Sequence, residues 1–514
     1  MIAVRPEVGN VSARPGAKER WRLLSALAAG LIVPFAFAPY AWWPLAALAP
    51  AVLLALLRAR SPRQAACLGW CFGVGMFGHG VWWIQVSVHQ FGLPYYAFSV
   101  TATAVLVAFL ALYPALFAAL TRALPAPNES SRALLLAPAL WLGCEWLRGW
   151  LFTGFPWLSL GYSQLDAPLA GIAPWLGGSG CSFALLLAAG MLAQMINASW
   201  RSRGVLLLAL VALLGGAQLL RGVSTTYEIE AGLRVALIQG AIPQQLKWGL
   251  AQRAHAFSLY SELSARNWQS DLLVWPETAI PAFADEVPEM ITSLNDTARA
   301  AHTTLLVGMP TGQPWSGGRY YNSVVALGRE TGRYDKRHLV PFGEFFPLKS
   351  LLEDLSRLLS IPMSDFSRGD IEQPALHAAG HVVGVSICYE DVFAPEVMRA
   401  LPQAAFLVNV SNDAWFGDTI APHQHLQIAR MRALESGRYL LRATNSGITA
   451  VVDERGRVVA RAPQFEPTAL TSQFAARGGS TPYVRFGDQP LQVALTLTVL
   501  MVILRGRRNK ATLS

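Results

Sequence analysis

The chain has 514 residues, is 53% hydrophobic but only 14% charged, and carries a net charge of +9. Soluble chains average roughly 25% charged residues, so a single water-soluble globule is excluded, and the apolar content also excludes a disordered chain. Residues 223–488 hold 23 basic and 27 acidic residues, leaving 18 basic and 5 acidic for the two ends, so the positive excess flanks apolar runs as in membrane topology and no nucleic-acid partner is expected.

Segments long enough to approach a membrane crossing, about 20 apolar residues, fall at 23–38, 41–57, 65–86, 94–120, 133–147, 168–196, 204–220 and 490–504. Eight spans put both termini on one side. Arg5, Arg14, Lys18, Arg20, Arg22, Arg58, Arg60, Arg63, Arg122, Arg132, Arg201 and Arg203 then face the cytoplasm, with Arg505, Arg507, Arg508 and Lys510 in the tail. Only Arg148 and Arg221 fall toward the other side. The expected organisation is a cytoplasmic tail (1–22), a bundle of about seven spans (23–222), an external domain (223–488), a final span (489–505) and a second cytoplasmic tail (506–514). Ala36-Phe37-Ala38 has the form of a signal-peptidase site, but Pro39 follows it and another apolar run begins at once, so no cleavage is expected. Glu145 and His79 lie within apolar runs, where ionisable residues are functional candidates. Glu145 stands three residues before Arg148, and a local ion pair is expected.

Cys67, Cys71, Cys144 and Cys181 lie in or beside expected spans, which leaves Cys388 alone in the external domain. Outside the cytoplasm thiols are normally paired or eliminated, so a single one is either buried and inert or kept for its reactivity.

The external domain reads as strands at 234–239, 271–275, 304–308, 323–327, 382–387, 405–409 and 447–452, with a hairpin partner at 457–460. Helices are expected at 252–269, 289–301 and 423–438. The alternation predicts a layered α/β domain with a mixed sheet. Chemistry-bearing residues follow three strands: Glu277 after Trp275-Pro276, Lys336 within Asp335-Lys336-Arg337-His338, and Cys388 within Ile387-Cys388-Tyr389-Glu390. A thiol with a reference pKa of about 8.5 needs a base, and Glu277 can supply it. Lys336 can favour the thiolate and stabilise an oxyanion. Glu344 or Glu390 can position Lys336 or assist proton movement.

At these residues the chain resembles the nitrilase (carbon–nitrogen hydrolase) superfamily, which carries a Glu–Lys–Cys triad in that order. More narrowly it is similar to the apolipoprotein N-acyltransferase family, over essentially the whole chain. Asn409-Val410-Ser411-Asn412-Asp413-Ala414-Trp415-Phe416-Gly417, Arg442-Ala443-Thr444-Asn445-Ser446-Gly447 and Thr481-Pro482-Tyr483 carry the likeness further. The resemblance implies a periplasmic αββα domain on an α-helical transmembrane bundle in a bacterial inner membrane. It implies that Glu277, Lys336 and Cys388 are catalytic, with supporting roles for Glu344, Tyr389, Glu390 and Trp248. The implied reaction is ping-pong: Cys388 takes an acyl chain from a phospholipid, typically phosphatidylethanolamine. The thioester then acylates the α-amino group of diacylglyceryl-cysteine on an apolipoprotein. A membrane-tethered amidase or hydrolase with the same triad is the alternative, with water as acceptor, and the large apolar bundle favours the lipid acceptor. A transporter would need paired charges or repeated halves, which the bundle lacks.

Lipid substrates require an opening toward the bilayer. Residues 348–359 place Leu351, Leu352, Leu355, Leu358 and Leu359 on one helical face; either these form a lipid-contacting rim with Phe345, Phe346, Trp415 and Phe416, or the helix simply packs on the sheet. His423 and His425 lack a third ligand, so no metal or cofactor is expected and the pair reads as structural. Arg430, Arg432, Arg438 and Arg442 read as a solvated or ion-paired face.

Overall fold

The computed structural model describes residues 16–92, 95–243, 250–313, 317–345 and 365–511. Trp248, Phe346 and the apolar stretch 348–359 lie outside these residues.

The N-terminal region is helical. Its helices are Ala17–Ile32, Leu45–Leu56, Pro62–Gly80, Ile84–Phe91, Tyr96–Leu110, Leu112–Ala123, Ala137–Trp150, Ala173–Met195 and Trp200–Leu220, and Gln489–Ala511 returns to them from the other end of the chain. Starts and crossings follow from local chemistry. Ser61 caps Pro62–Gly80 through a reciprocal pair with Gln64, and Pro62 takes the first helical position, where its missing N–H costs nothing. Gly75 lets this helix lie against Ala17–Ile32, since a Cβ there would stand 2.3 Å from the Leu27 carbonyl oxygen. Four stretches are long and apolar enough to cross a bilayer among the described residues: Tyr96–Ala123, Pro168–Met195, Trp200–Leu220 and Gln489–Asn509. The other expected spans coincide with shorter or less apolar helices, such as the 12-residue Leu45–Leu56.

Residues 226–479 contain two six-stranded sheets. The strands are β1 (Thr226–Gln239), β2 (Leu272–Val274), β3 (Thr304–Gly312), β4 (Tyr320–Gly328), β5 (Gly332–Asp335), β6 (Leu376–Ala378), β7 (His381–Ile387), β8 (Phe406–Ser411), β9 (Leu440–Thr444), β10 (Ala450–Val452), β11 (Val458–Arg461) and β12 (Thr468–Gly479). One sheet has the order β12-β1-β2-β3-β4-β5, the other β11-β10-β9-β8-β7-β6. Within them β1-β2-β3 and β7-β8-β9 are parallel and the flanking pairs antiparallel. The inner faces meet in one core, where Val235, Leu237, Val274 and Leu306 oppose Ile387, Phe406, Val408 and Leu441. The alternate residues Ala236, Ile238, Leu273 and Leu305 face outward and are covered by Leu250–Ala265 and Pro288–Ala300. Helix Ala421–Ser436 covers the second sheet through Leu426, Ala429 and Ala433. The result is the αββα sandwich that the resemblance implied, and the central strands, apolar on both faces, read in sequence as continuous runs.

Ala421–Ser436 is buried on both sides. Its Ala421, Ile428 and Met431 join the core of the helical bundle, and its polar residues bond the two parts together. Gln424 Oε1 accepts from the Trp83 and Trp157 indoles at 3.2 and 2.7 Å, Gln427 Oε1 accepts from the Ala38 amide at 3.1 Å, and Glu435 Oε1 accepts from the Gly178 amide at 2.7 Å. Of the two readings of the arginine residues, solvated or ion-paired, the second holds for Arg430, Arg432 and Arg442, which pair with Asp166, Glu435 and the Asp391–Asp413 couple. Arg432 pairs with Glu435 at 2.9 Å, and Arg438 donates to the Ala404 and Gly479 carbonyls at 2.8 Å each.

The expected Glu145–Arg148 pair does not form among the described residues. Glu145 accepts from the Trp141 indole at 2.9 Å and the Leu160 amide at 2.8 Å. Arg148 donates to the Phe155 carbonyl at 2.7 Å, to the Trp157 carbonyl and to Ser159 Oγ at 3.2 Å. Three backbone groups after Trp150 lack helical partners, and these two side chains satisfy them more directly than they could satisfy each other.

Candidate active site

The loops after β2, β5 and β7 converge. Glu277 follows β2 on a tight bend in which Thr278 has φ +50°, and Gly308 on β3 makes room for it, since a Cβ there would stand 2.7 Å from Glu277 Cα. Lys336 follows β5, its amide held by the Asn322 carbonyl at 2.8 Å. Cys388 follows β7 directly and has φ +50°. That left-handed conformation costs a non-glycine residue roughly 1–2 kcal/mol and is tolerated where the surroundings over-determine it.

Asn322, on β4, was not anticipated from sequence. Its Nδ2 donates to Glu277 Oε1 at 2.7 Å and to Glu344 Oε1 at 2.9 Å. Lys336 Nζ donates to the same two oxygens, at 3.4 and 2.9 Å. Two carboxylates thus share one buried cation and one amide, while Glu344 Oε2 is occupied by the Val340 amide at 2.8 Å. Its sequence setting, between Tyr321 and Ser323 at the start of β4, gives no signal of this role.

Glu390 ties the thiol-bearing turn to the lysine loop. Its carboxylate accepts from the amides of Ile387 (2.7 Å), Arg337 (2.6 Å) and His338 (3.2 Å), and from the Tyr334 hydroxyl at 3.1 Å. Burial pushes its pKa up to about 7, against the downward pull of those amides and of Lys336. Tyr389 reaches the other way, donating its hydroxyl to the Gly154 carbonyl at 3.0 Å, in the bundle loop that Arg148 holds.

The charges limit what each group can do. Burial pushes the Lys336 ammonium down, but Glu344 and Glu277 outweigh it and the net shift is upward, so Lys336 stays protonated and cannot act as a base at neutral pH. Burial and Glu277 push the Cys388 thiol up while Lys336 pulls it down, and the net shift is upward. The resting group is therefore a neutral thiol, whose proton has to leave as the sulfur attacks. A carboxylate, a fixed cation and a thiol in this arrangement can carry out acyl transfer through a covalent intermediate.

Behind the thiol lies a buried network that sequence reasoning missed. His425 bonds Asp391 at 2.8 Å and Asp413 at 3.0 Å, and Arg442 donates to the same two carboxylates at 2.9 and 3.0 Å. Asp413 also accepts from Ser411 Oγ at 2.9 Å, and Ser411 hydrogen-bonds the Cys388 side chain. Both ring nitrogens of His425 are engaged by carboxylates, in keeping with a structural histidine. Among the described residues no cluster of three or more His, Cys, Asp or Glu could hold a metal ion. Trp415 and Phe416, expected in a lipid-contacting rim, pack instead on Phe91 and Trp83 of the bundle, with ring centroids 4.4 and 4.7 Å apart.

Residues 29–191 match the apolipoprotein N-acyltransferase N-terminal domain, and residues 234–483 match the carbon-nitrogen hydrolase family. The chain is 44% identical over 491 residues to an apolipoprotein N-acyltransferase of Methylococcus capsulatus, covering 95% of this chain and 97% of that one. It is 45% identical over 500 residues to that of Nitrosomonas europaea, covering 95% and 99%. Among solved structures, an amidase from Nesterenkonia sp. shares 20% identity with a TM-score of 0.37, over 53% of this chain and 99% of that one. The chain therefore belongs to the apolipoprotein N-acyltransferase family.

Proposed function

We propose that this protein is a bacterial inner-membrane acyltransferase that completes lipoprotein maturation, with Glu277, Lys336 and Cys388 as its catalytic residues. Glu277 takes the thiol proton as Cys388 Sγ attacks the ester carbonyl of a phospholipid, with phosphatidylethanolamine as donor. Lys336 stabilises the oxyanion of the tetrahedral intermediate. On collapse the ester C–O bond breaks, the lysophospholipid oxygen takes the proton back from Glu277, and a thioester remains. In the second half-reaction the α-amino group of diacylglyceryl-cysteine attacks that thioester and gives its proton to Glu277, the C–S bond breaks, and the departing sulfur takes that proton from Glu277, restoring thiol and carboxylate. Glu344 holds Lys336, Glu390 and Tyr389 fix the turn that carries Cys388, and Trp248 contributes to substrate binding.

The observation that carries this reading is the shared grip of Lys336 and Asn322 on Glu277 and Glu344, beside a thiol that is neutral at rest. The domain limits follow the same reading: a cytoplasmic N-terminal tail, an eight-span membrane part, a periplasmic catalytic domain over 223–488 and a cytoplasmic C-terminus. The curated relatives support a lipoprotein acceptor over water. The purified protein, incubated with labelled phosphatidylethanolamine and a diacylated lipopeptide, is expected to yield triacylated peptide. Free fatty acid as the sole product would favour the hydrolase.

A further inference from the structure

The ends of four helices remote from the catalytic domain enclose a cleft. Leu45–Leu56 begins near Ala38, which bonds Gln427 of the domain. Ala137–Trp150 leads to the loop that holds Tyr389, and Ala173–Met195 begins near Gly178, which bonds Glu435. The opposite ends of these helices, with the end of Leu112–Ala123, bring Arg58, Arg122, Arg132, Glu129 and Gln194 together around one opening. Arg132 lies on the π-helical turn Arg132–Leu136 that leads into Ala137–Trp150, on the order of 20 Å along the axis from Arg148, so this cleft is separate from the catalytic centre.

Three guanidiniums face one carboxylate there. Arg122 takes Glu129 in a two-oxygen grip at 2.8 and 3.0 Å, and Arg132 lies 3.5 Å from the same group. Arg132 also donates to the Leu124 carbonyl at 2.9 Å and to that of Thr121. Arg58 donates one nitrogen to Gln194 Oε1 at 3.3 Å. Arg58 Nη1 is buried and has no hydrogen-bond partner among the described residues, whereas Arg132 Nε is turned to Glu129 Oε1 at 3.5 Å. A buried guanidinium N–H without an acceptor is costly, and the strongest acceptors for it are planar or tetrahedral oxyanions. The last helix adds positive charge, since Gly506 packs on Pro125 and Ala126 and brings Arg505 and Arg507 to the same end. The cleft wall below the arginines is apolar, formed by Leu54, Leu57, Ala133 and Ala193.

We propose that this cleft binds the phosphate of an anionic phospholipid in the leaflet far from the catalytic domain. Arg58 and Arg132 take the phosphate oxygens, and the apolar wall takes the first carbons of the acyl chains. Phosphate oxyanion is the recognised chemistry, a basic pocket between spans at the bilayer surface suits a lipid headgroup, and the apolar wall selects a lipid over a free anion. The site is independent of the catalytic reading.

The full chain in a non-ionic detergent, stripped of lipid, is titrated with dioleoyl phosphatidylglycerol, dioleoyl phosphatidylcholine or inorganic phosphate, and bound lipid is counted by native mass spectrometry. Phosphatidylglycerol is expected to be retained in preference to phosphatidylcholine, with affinity about tenfold weaker in Arg58→Gln and weaker again in Arg58→Gln/Arg132→Gln. Arg58→Gln, which gives up one described hydrogen bond, should keep wild-type acyl transfer, showing that fold and catalytic centre survive. Equal retention of phosphatidylglycerol by wild type and Arg58→Gln overturns the proposal, as does equal retention of phosphatidylcholine. Displacement of the lipid by millimolar inorganic phosphate would make this a soluble-anion site and overturn the lipid assignment.

Discussion

Lys336 Nζ lies 2.9 Å from Glu344 Oε1, nearer than the 3.4 Å that separates it from Glu277 Oε1. The main counter-ion of the lysine is therefore Glu344, which leaves Glu277 less committed to the cation. The Val340 amide fixes the other oxygen of Glu344, so this carboxylate cannot turn away.

Neutralising it should redirect the ammonium toward Glu277. Glu344→Gln is expected to lower kcat about 100-fold, the scale of a mispositioned acid–base group, with little change in KM and with acyl-enzyme formation slowed in parallel. Pre-steady-state release of lysophospholipid measures this. A kcat within twofold of wild type would contradict it.

Asn322 holds the two carboxylates through a single nitrogen. Asn322→Ala removes that donor and should reduce kcat between about tenfold and 100-fold. Asn322→Asp should be the more damaging, because it sets a third carboxylate beside two that already share one cation. Steady-state kinetics with both variants gives the order, and the reverse order would show that the side chain only fills space.

The Tyr389 hydroxyl joins the nucleophile turn to the bundle at Gly154. Tyr389→Phe keeps the ring against Phe393, 5.1 Å away between centroids, and loses one neutral hydrogen bond of about 1 kcal/mol. The expected result is roughly a fivefold fall in kcat/KM, with the fold intact by thermal melting. Arg148→Gln, which loosens the loop rather than the tyrosine, should lower activity in the same direction.

Stability should decline as pH rises. Burial and Arg442 push His425 down, but Asp391 and Asp413 outweigh them and raise it to about 9. The folded protein thus binds this proton more tightly than the unfolded chain. The stabilisation is complete below the reference value of about 6.5 and is lost as pH climbs through about 9. Glu390, raised to about 7, acts in the same direction at lower pH, from its reference value upward. Melting of the solubilised protein from pH 5 to pH 9.5 should show a falling midpoint, and His425→Gln should flatten the upper part of that slope.

Glu277 and Cys388 were legible because each follows a short apolar run bounded by turn residues, a pattern set by strands buried on both faces, whereas Lys336 follows the half-exposed β5, Gly-Arg-Tyr-Asp, and was singled out by the family resemblance. What escaped was held by distant partners. β9 carries Arg442 in its centre, and a charged residue there reads as surface until Asp391 and Asp413 are brought to it. β12 is partly exposed and gains its identity only by pairing with β1, more than two hundred residues earlier. The burial of Arg432 was not legible because, Glu435 apart, the group it meets, Tyr162, belongs to the bundle. The span count was the least secure reading, since helices such as Leu45–Leu56 are apolar but too short to cross alone.

The central claim is that the Cys388 sulfur carries the fatty chain between donor and acceptor. Intact-protein mass spectrometry after incubation with phosphatidylethanolamine alone tests it most directly. The wild-type chain is predicted to gain one acyl group, labile to hydroxylamine and lost on adding diacylated lipopeptide, whereas Cys388→Ala gains none. An equal acyl adduct on Cys388→Ala, or acyl transfer by that variant, would contradict the account.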